Sequence, residues 1–158
     1  MAPDIVVFGH RGERPALTAD GRVLAHVDAG ERRFTVLDRD GTTLCAGHVE
    51  ALIDWFVVDA DGRGVIRLQL GLGRRHRVTF ADGRIGRIEE DLVGGMWQLT
   101  DDDDGHLVIH VRPTGNAFRA LPEWTAAQDG SLDLVAFLAT VETFRRARHL
   151  RREVVRSL

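Results

Sequence analysis

Apolar and polar residues alternate with a period of two over much of this chain. Ile66, Leu68 and Leu70 face one way with Arg67 and Gln69 opposite, and Leu107, Ile109 and Val111 face one way with His110 and Arg112 opposite. Alternation of this kind marks strands that bury one face. It predicts strands over 22–27, 34–38, 43–49, 55–59, 65–70, 74–80, 84–89, 96–100 and 106–112. The turns between them have a regular signal. Asp-Gly recurs at Asp20-Gly21, Asp40-Gly41, Asp61-Gly62, Asp82-Gly83, Asp104-Gly105 and Asp129-Gly130, at intervals of 20, 21, 21, 22 and 25 residues. Each interval has room for one strand out and one strand back, and Asp-Gly suits hairpin turns because Gly takes positive φ without steric cost. The longer forms, such as Asp38-Arg39-Asp40-Gly41, read as type I turns closed by a G1 bulge. That register sets Phe34 opposite Ala46 and Val36 opposite Leu44 on one face, with Thr35 opposite Cys45 on the other.

The one long helical pattern lies at the C-terminal end, where Ser131 is the expected cap of a helix over about 132–150, with room to run on along the arginines that follow. Leu134, Phe137, Leu138, Val141 and Phe144 form one face, and Ala136, Ala139, Thr140 and Thr143 the other. A helix apolar on one side and small on the other suits enclosure on all sides; the plainer alternative is an amphipathic helix lying on the outside of a sheet. So many strands in so short a chain leave edges to be managed, which a closed barrel or a two-sheet sandwich does.

The run Phe34-Thr-Val-Leu-Asp-Arg-Asp-Gly41, the later Arg74-Arg-His-Arg-Val-Thr-Phe-Ala-Asp-Gly-Arg-Ile-Gly86 and the apolar Asp133-Leu-Val-Ala-Phe-Leu-Ala-Thr-Val-Glu142 resemble the LURP-one-related family over most of residues 18–145. That family groups with the phospholipid scramblases and the tubby C-terminal domain. The resemblance implies a mainly β fold: a closed antiparallel barrel of about twelve strands, over about 5–128, enclosing a hydrophobic C-terminal helix. The pattern departs from the family in showing nine clear strands, in carrying Glu142 where Asp is commoner, and in an Arg-rich extension over 145–158.

Composition narrows the function classes. The 158 residues make a single domain, too short for a (β/α)₈ barrel of about 250 residues. All 21 basic residues are Arg, and the net charge of −3 is unevenly spread: residues 1–131 carry 15 Arg against 21 acids, and residues 132–158 carry 6 Arg against 3. A single cysteine, Cys45, leaves no intrachain disulfide framework, and with no N-terminal signal pattern the expected setting is a reducing cytoplasm.

Candidate chemistry is sparse. Ile5-Val-Val-Phe-Gly-His10-Arg11-Gly12-Glu13 resembles the opening strand and loop of glycerophosphodiester phosphodiesterases, but the partner motifs of that family are missing, so a phosphodiester hydrolase is the weakest reading. His106 and His110, four apart on one strand face, stand about 13 Å apart and cannot share a metal. The Asp101-Asp-Asp-Asp-Gly105 run fails as a calcium loop because Val111 falls where a bidentate Glu is needed. With no Lys there is no phosphate-binding P-loop. No catalytic residue, metal or cofactor is expected. Two basic groups remain: Arg74, Arg75, Arg77, Arg84 and Arg87 around one hairpin, for which Glu89, Glu90 and Asp91 offer partners, and Arg145, Arg148, Arg151 and Arg152 on the tail. They predict a non-enzymatic binding or scaffolding module. An anionic phospholipid surface, approached peripherally at the inner membrane, is the first partner expected and a protein the second; nucleic acid is disfavoured by the acidic balance.

Overall fold

A computed structural model describes residues 4–11, 14–51, 53–91, 95–114 and 123–157. Twelve strands run in chain order: β1 (Ile5–Arg11), β2 (Arg14–Ala19), β3 (Arg22–Ala29), β4 (Arg33–Asp38), β5 (Thr43–Ala51), β6 (Asp54–Asp59), β7 (Gly64–Leu70), β8 (Arg75–Phe80), β9 (Ile85–Glu90), β10 (Trp97–Asp101), β11 (Leu107–Thr114) and β12 (Glu123–Gln128). A single helix, α1 (Leu134–Arg156), follows. Each strand pairs antiparallel with its sequence neighbours, and β1 closes on β12 with Ile5 opposite Ala127 and Phe8 opposite Trp124. The sheet is therefore an up-and-down barrel without an open edge.

The barrel is wide. Eight strands leave an interior that side chains alone can fill, and diameter grows with strand number, so twelve leave room for a helix. Helix α1 occupies that space. Phe137 to Phe144 are eight consecutive buried residues, more than two full turns with no face to water. Ala139 and Leu138, on opposite faces, are both 0% exposed. The helix lies closest to β5, β6 and β7. Strand residues such as Val6, Trp55, Leu68, Val78, Ile88 and Leu99 point inward onto it, while their neighbours in sequence face outward. At 23 residues the helix is about 35 Å long against about 20 Å for a six-residue strand, so its last turns project beyond the barrel.

Several expectations need correction. β1, β2 and β12 were not among the nine predicted strands: β1 opens with five apolar residues that do not alternate, β2 contains Pro15, and β12 carries only Thr125 as a β-branched residue. The turn between β4 and β5 has a bulge between Val36 and Leu37. Phe34 consequently faces Gly47, Thr35 faces Ala46 and Val36 faces Cys45, one residue from the expected register. Cys45 thus points into the core, not away from Val36's face. A second bulge, between Leu99 and Thr100, puts Val108 in the core and leaves Leu107 48% exposed. His106 falls in the turn before β11, not on the strand. The helix cap is Asp133, whose carboxylate accepts from the Ala136 N–H at 2.8 Å, instead of Ser131. Leu132 cannot join the helix because Gln128 clamps its backbone, donating to its carbonyl at 3.2 Å and accepting from its N–H at 3.1 Å. Leu134 is half-buried at the first turn, packed against the core, and the helix runs past Leu150 to Arg156.

Candidate functional site: the rim where the helix leaves the barrel

Strand parity sorts the turns. One Asp-Gly every two strands places all six Asp-Gly turns on the same rim, where the helix begins. The acids there shape backbone: Asp38 Oδ1 accepts from the Asp40 and Thr42 N–H groups, both at 2.9 Å, and Asp59 Oδ1 accepts from Asp61 at 2.9 Å and Arg63 at 3.0 Å. The helix crosses the lumen and emerges at the opposite rim, carrying Arg145, Arg146, Arg148, Arg151, Arg152 and Arg156. One rim therefore carries the Asp-Gly turns and the other the arginines of the tail, among acids that include Glu31, Glu50, Glu90 and Asp91.

The tail arginines are anchored by carboxylates from far along the chain. Glu90, at the end of β9 with its side chain 7% exposed, accepts from Arg151 Nη2 at 3.0 and 3.2 Å, pairs with Arg148 Nε at 3.0 Å and meets His76 Nε2 at 2.6 Å. Burial alone would push the Glu90 carboxyl up; the bonds from His76 and Arg151 outweigh it and bring it down to about 2. The His76 tautomer is set by its other nitrogen: Nδ1 accepts from the Gly71 N–H at 3.1 Å, so Nε2 carries the proton donated to Glu90. Arg148 also donates to the Gly95 carbonyl at 3.1 Å and lies 5.9 Å from the Trp124 ring and 5.6 Å from that of Phe144. Arg145 grips the buried Glu142 with two hydrogen bonds.

A cleft of about 230 Å³ opens at this rim between the helix and β1, β2 and β12. Phe8 and Trp124, stacked at 6.4 Å, form its apolar wall, and Arg145, Arg148, His149 and Arg152 its charged edge. An adjoining groove is lined by Gly73, Arg74, Glu90, Arg148, Arg151 and Arg152, among others. Among the described residues Arg74 and Arg152 make no ion pair, so of the four arginines lining this groove they are the two whose charge no carboxylate takes up.

The two predicted basic groups are thus rearranged. Only Arg74 of the hairpin group joins the tail. Arg75 pairs with Glu89 at 3.8 Å on the outer wall, and Arg77 stands opposite Arg87 on that wall. Arg84 belongs to the rim of the Asp-Gly turns, paired with Asp82 at 2.7 Å, and Arg87 reaches Asp102 at 2.9 Å. Glu90, offered by the sequence as a partner for the hairpin arginines, serves the tail instead. His76 and Trp124 had no local signal, and Glu142 stood out only as the acid that ends the apolar run of the helix.

Other chemistry-bearing groups resolve as follows. The Cys45 thiol is buried, and burial first, then the charge of Glu142, push it up to about 12. Asp101, Asp104 and His106 lie close together on the rim of the Asp-Gly turns, but both ring nitrogens of His106 meet carboxylates, Asp104 at 2.5 Å and Asp129 at 3.0 Å. Gly12 and the side chains of His10 and Arg11 lie outside the described residues; the backbone of His10 and Arg11 belongs to β1 of the barrel. Among the described residues no helix is long and apolar enough to cross a membrane.

A closed twelve-stranded antiparallel barrel around a C-terminal helix is the class this fold defines. It is similar to an X-ray structure of the Arabidopsis thaliana protein AT5G01750, with a TM-score of 0.62, 12% identity, and coverage of 92% of this chain and 90% of that one. At that identity the likeness is one of fold. No family model matches the sequence, and no curated protein matches it.

Proposed function

We propose that this protein is a non-catalytic binding module of the tubby-like class, related to the LURP-one and scramblase proteins, whose basic rim recognises anionic phospholipid head groups as it docks peripherally on the inner membrane surface. The observation that carries this reading is the concentration of the tail arginines where the helix leaves the barrel, at the rim opposite the Asp-Gly turns. Such a distribution orients the molecule in the field of an anionic surface, where each basic residue contributes about 1 kcal/mol. The fold resemblance supports the class, and the charge geometry supports the ligand.

The residues that meet the head groups are those whose charge is not already consumed. Arg74 and Arg152 have no carboxylate partner, whereas Arg148 and Arg151 hold Glu90 and keep the rim in shape. The test is sedimentation with vesicles of phosphatidylcholine alone or mixed with phosphatidylserine. Binding to the anionic vesicles at low salt, weakening as the Debye length shortens to about 8 Å at physiological ionic strength, is expected. Arg74→Gln with Arg152→Gln should weaken it without shifting the melting temperature. Absence of binding at low salt would overturn the lipid reading in favour of a scaffold for a protein partner.

A further inference from the structure

The loop between β7 and β8, Gly71-Leu72-Gly73-Arg74, carries an apolar side chain at the helix-exit rim. Leu72 is wholly exposed, the most exposed large apolar residue among those described. A lone exposed leucine means nothing by itself. Three observations set this one apart.

The loop is built to present it. A Cβ at Gly71 would lie 2.2 Å from the Arg75 carbonyl oxygen, and Gly73 has φ +84°, so only glycine fits comfortably on either side of Leu72. The base is also fixed from within: the Gly71 N–H is held by buried His76, which is held by Glu90, which is held by Arg148 and Arg151. One hydrogen-bonded chain therefore ties the Leu72 loop to the arginines of the tail. Leu72 has an apolar neighbour as well. Ile53, 57% exposed in the turn between β5 and β6, accepts from the Leu70 N–H at 2.7 Å, so the two turns lie side by side on this rim. Behind Leu72, Gly73 and Arg74 line the same groove as Arg151 and Arg152.

We infer that Leu72, with Ile53 in the adjoining turn, is a membrane-penetrating anchor beside Arg74 and the arginines of the tail, so that the rim binds an anionic bilayer by insertion as well as by charge. The inference rests on the membrane reading above and extends it: the occupant is a lipid surface with accessible acyl chains, not a soluble phosphate. An apolar tip beside unpaired cations matches the two layers of such a surface, acyl boundary and anionic head groups. Rigidity favours the arrangement, because a loop already held in its bound form loses little entropy on insertion.

The experiment compares wild type with Leu72→Ser, Ile53→Ser and Leu72→Trp on vesicles of phosphatidylcholine and phosphatidylserine, at low and at physiological salt. The two serine substitutions are at exposed positions and should leave the melting temperature unchanged. Leu72→Ser is expected to keep binding at low salt but to bind about ten-fold more weakly at physiological salt, where charge is screened and insertion dominates. Ile53→Ser should show a smaller loss. Leu72→Trp should give a blue-shifted emission component absent from wild type, quenched by bromine-labelled acyl chains and unaffected by soluble glycerophosphoserine. If Leu72→Ser matches wild type at both salt concentrations, or the new emission is indifferent to the labelled chains, the anchor is refuted while charge-driven docking stands. If no variant and no wild-type protein binds at low salt, both readings fall.

Discussion

Arg145 holds both carboxylate oxygens of Glu142, with Nε at 2.8 Å from one and Nη2 at 2.6 Å from the other, although only three positions separate them on the helix. Glu142 is enclosed in the barrel at 1% exposure, and Arg145 reaches back from the exit to neutralise it. Removing one member of such a pair leaves the other poorly compensated. Glu142→Gln should cost about 3 kcal/mol, the low end for a broken buried pair because Arg145 is partly solvated. Urea denaturation measures the loss. Combining it with Arg145→Met should recover part of it, and a single variant with the wild-type midpoint would show that the pair contributes nothing.

The enclosed helix gives a second expectation. Ala139 lies on the small face and Leu138 on the large one, and both are sealed from water. Arg at either position would bury an unpaired charge, at a cost of several kcal/mol. Ala139→Arg and Leu138→Arg should therefore both yield unfolded or aggregated protein, seen by circular dichroism and size-exclusion chromatography. A soluble Ala139→Arg variant with normal melting would place that face in water and contradict the enclosure.

The barrel was readable where turns announced it. Six Asp-Gly turns delimit nine strands, and their spacing over two strands also puts those turns on one rim, a consequence that appears only once the strands are known to run up and down without a crossover. The ring's closure was not readable from alternation, because β1 and β12 lack it, and their strand form rests on pairing with β2 and β11 as well as with each other. The bulge beside Val36 shows a similar limit: a one-residue slip exchanges Leu44 and Cys45 between the faces, and nothing local announces it. At the site, the arginines of the tail were visible as charge. The acid that organises them was not, since Glu90 is 61 residues from Arg151 in sequence and meets it only because the helix exits beside the end of β9.

Glu90 should shape the acid limb of stability. Its carboxyl is held at about 2, below the ordinary 4.5, because bonds from His76 and Arg151 outweigh burial. A depressed carboxylate contributes stability that is complete above its unfolded value and lost as pH falls through its folded one. The contribution should therefore decline between about pH 4.5 and pH 2. Denaturation at successive pH values should show a shallower acid decline in Glu90→Gln than in wild type, from a lower starting point. Parallel curves would assign the acid sensitivity to other carboxylates.

His106 should produce the opposite slope at the other end of the barrel. It bridges the turn between β10 and β11 to the segment leading into the helix, with Nδ1 on Asp104 and Nε2 on Asp129. The hydrogen bond that the ring donates to Asp104 raises its pKa above the ordinary 6.5; slight desolvation works against this, and the charge of Asp104 and the bond to and charge of Asp129 add to it. Asp104 is lowered by the backbone and ring bonds of His106, and Asp129, against burial, by hydrogen bonds from Ser131 first and from His106 after them. A raised histidine stabilises the fold fully below its unfolded value and loses that contribution as pH rises through the folded one. The effect is small, because the ring is open to solvent and salt. NMR titration of the His106 ring should give a midpoint above 6.5 that moves down toward it on adding salt and in Asp104→Asn. His106→Gln should remove the corresponding loss of stability above neutral pH. A ring midpoint at or below 6.5 in wild type would mean that the bridge does not persist in solution, and that Gln128 and Asp133 alone set where the helix begins.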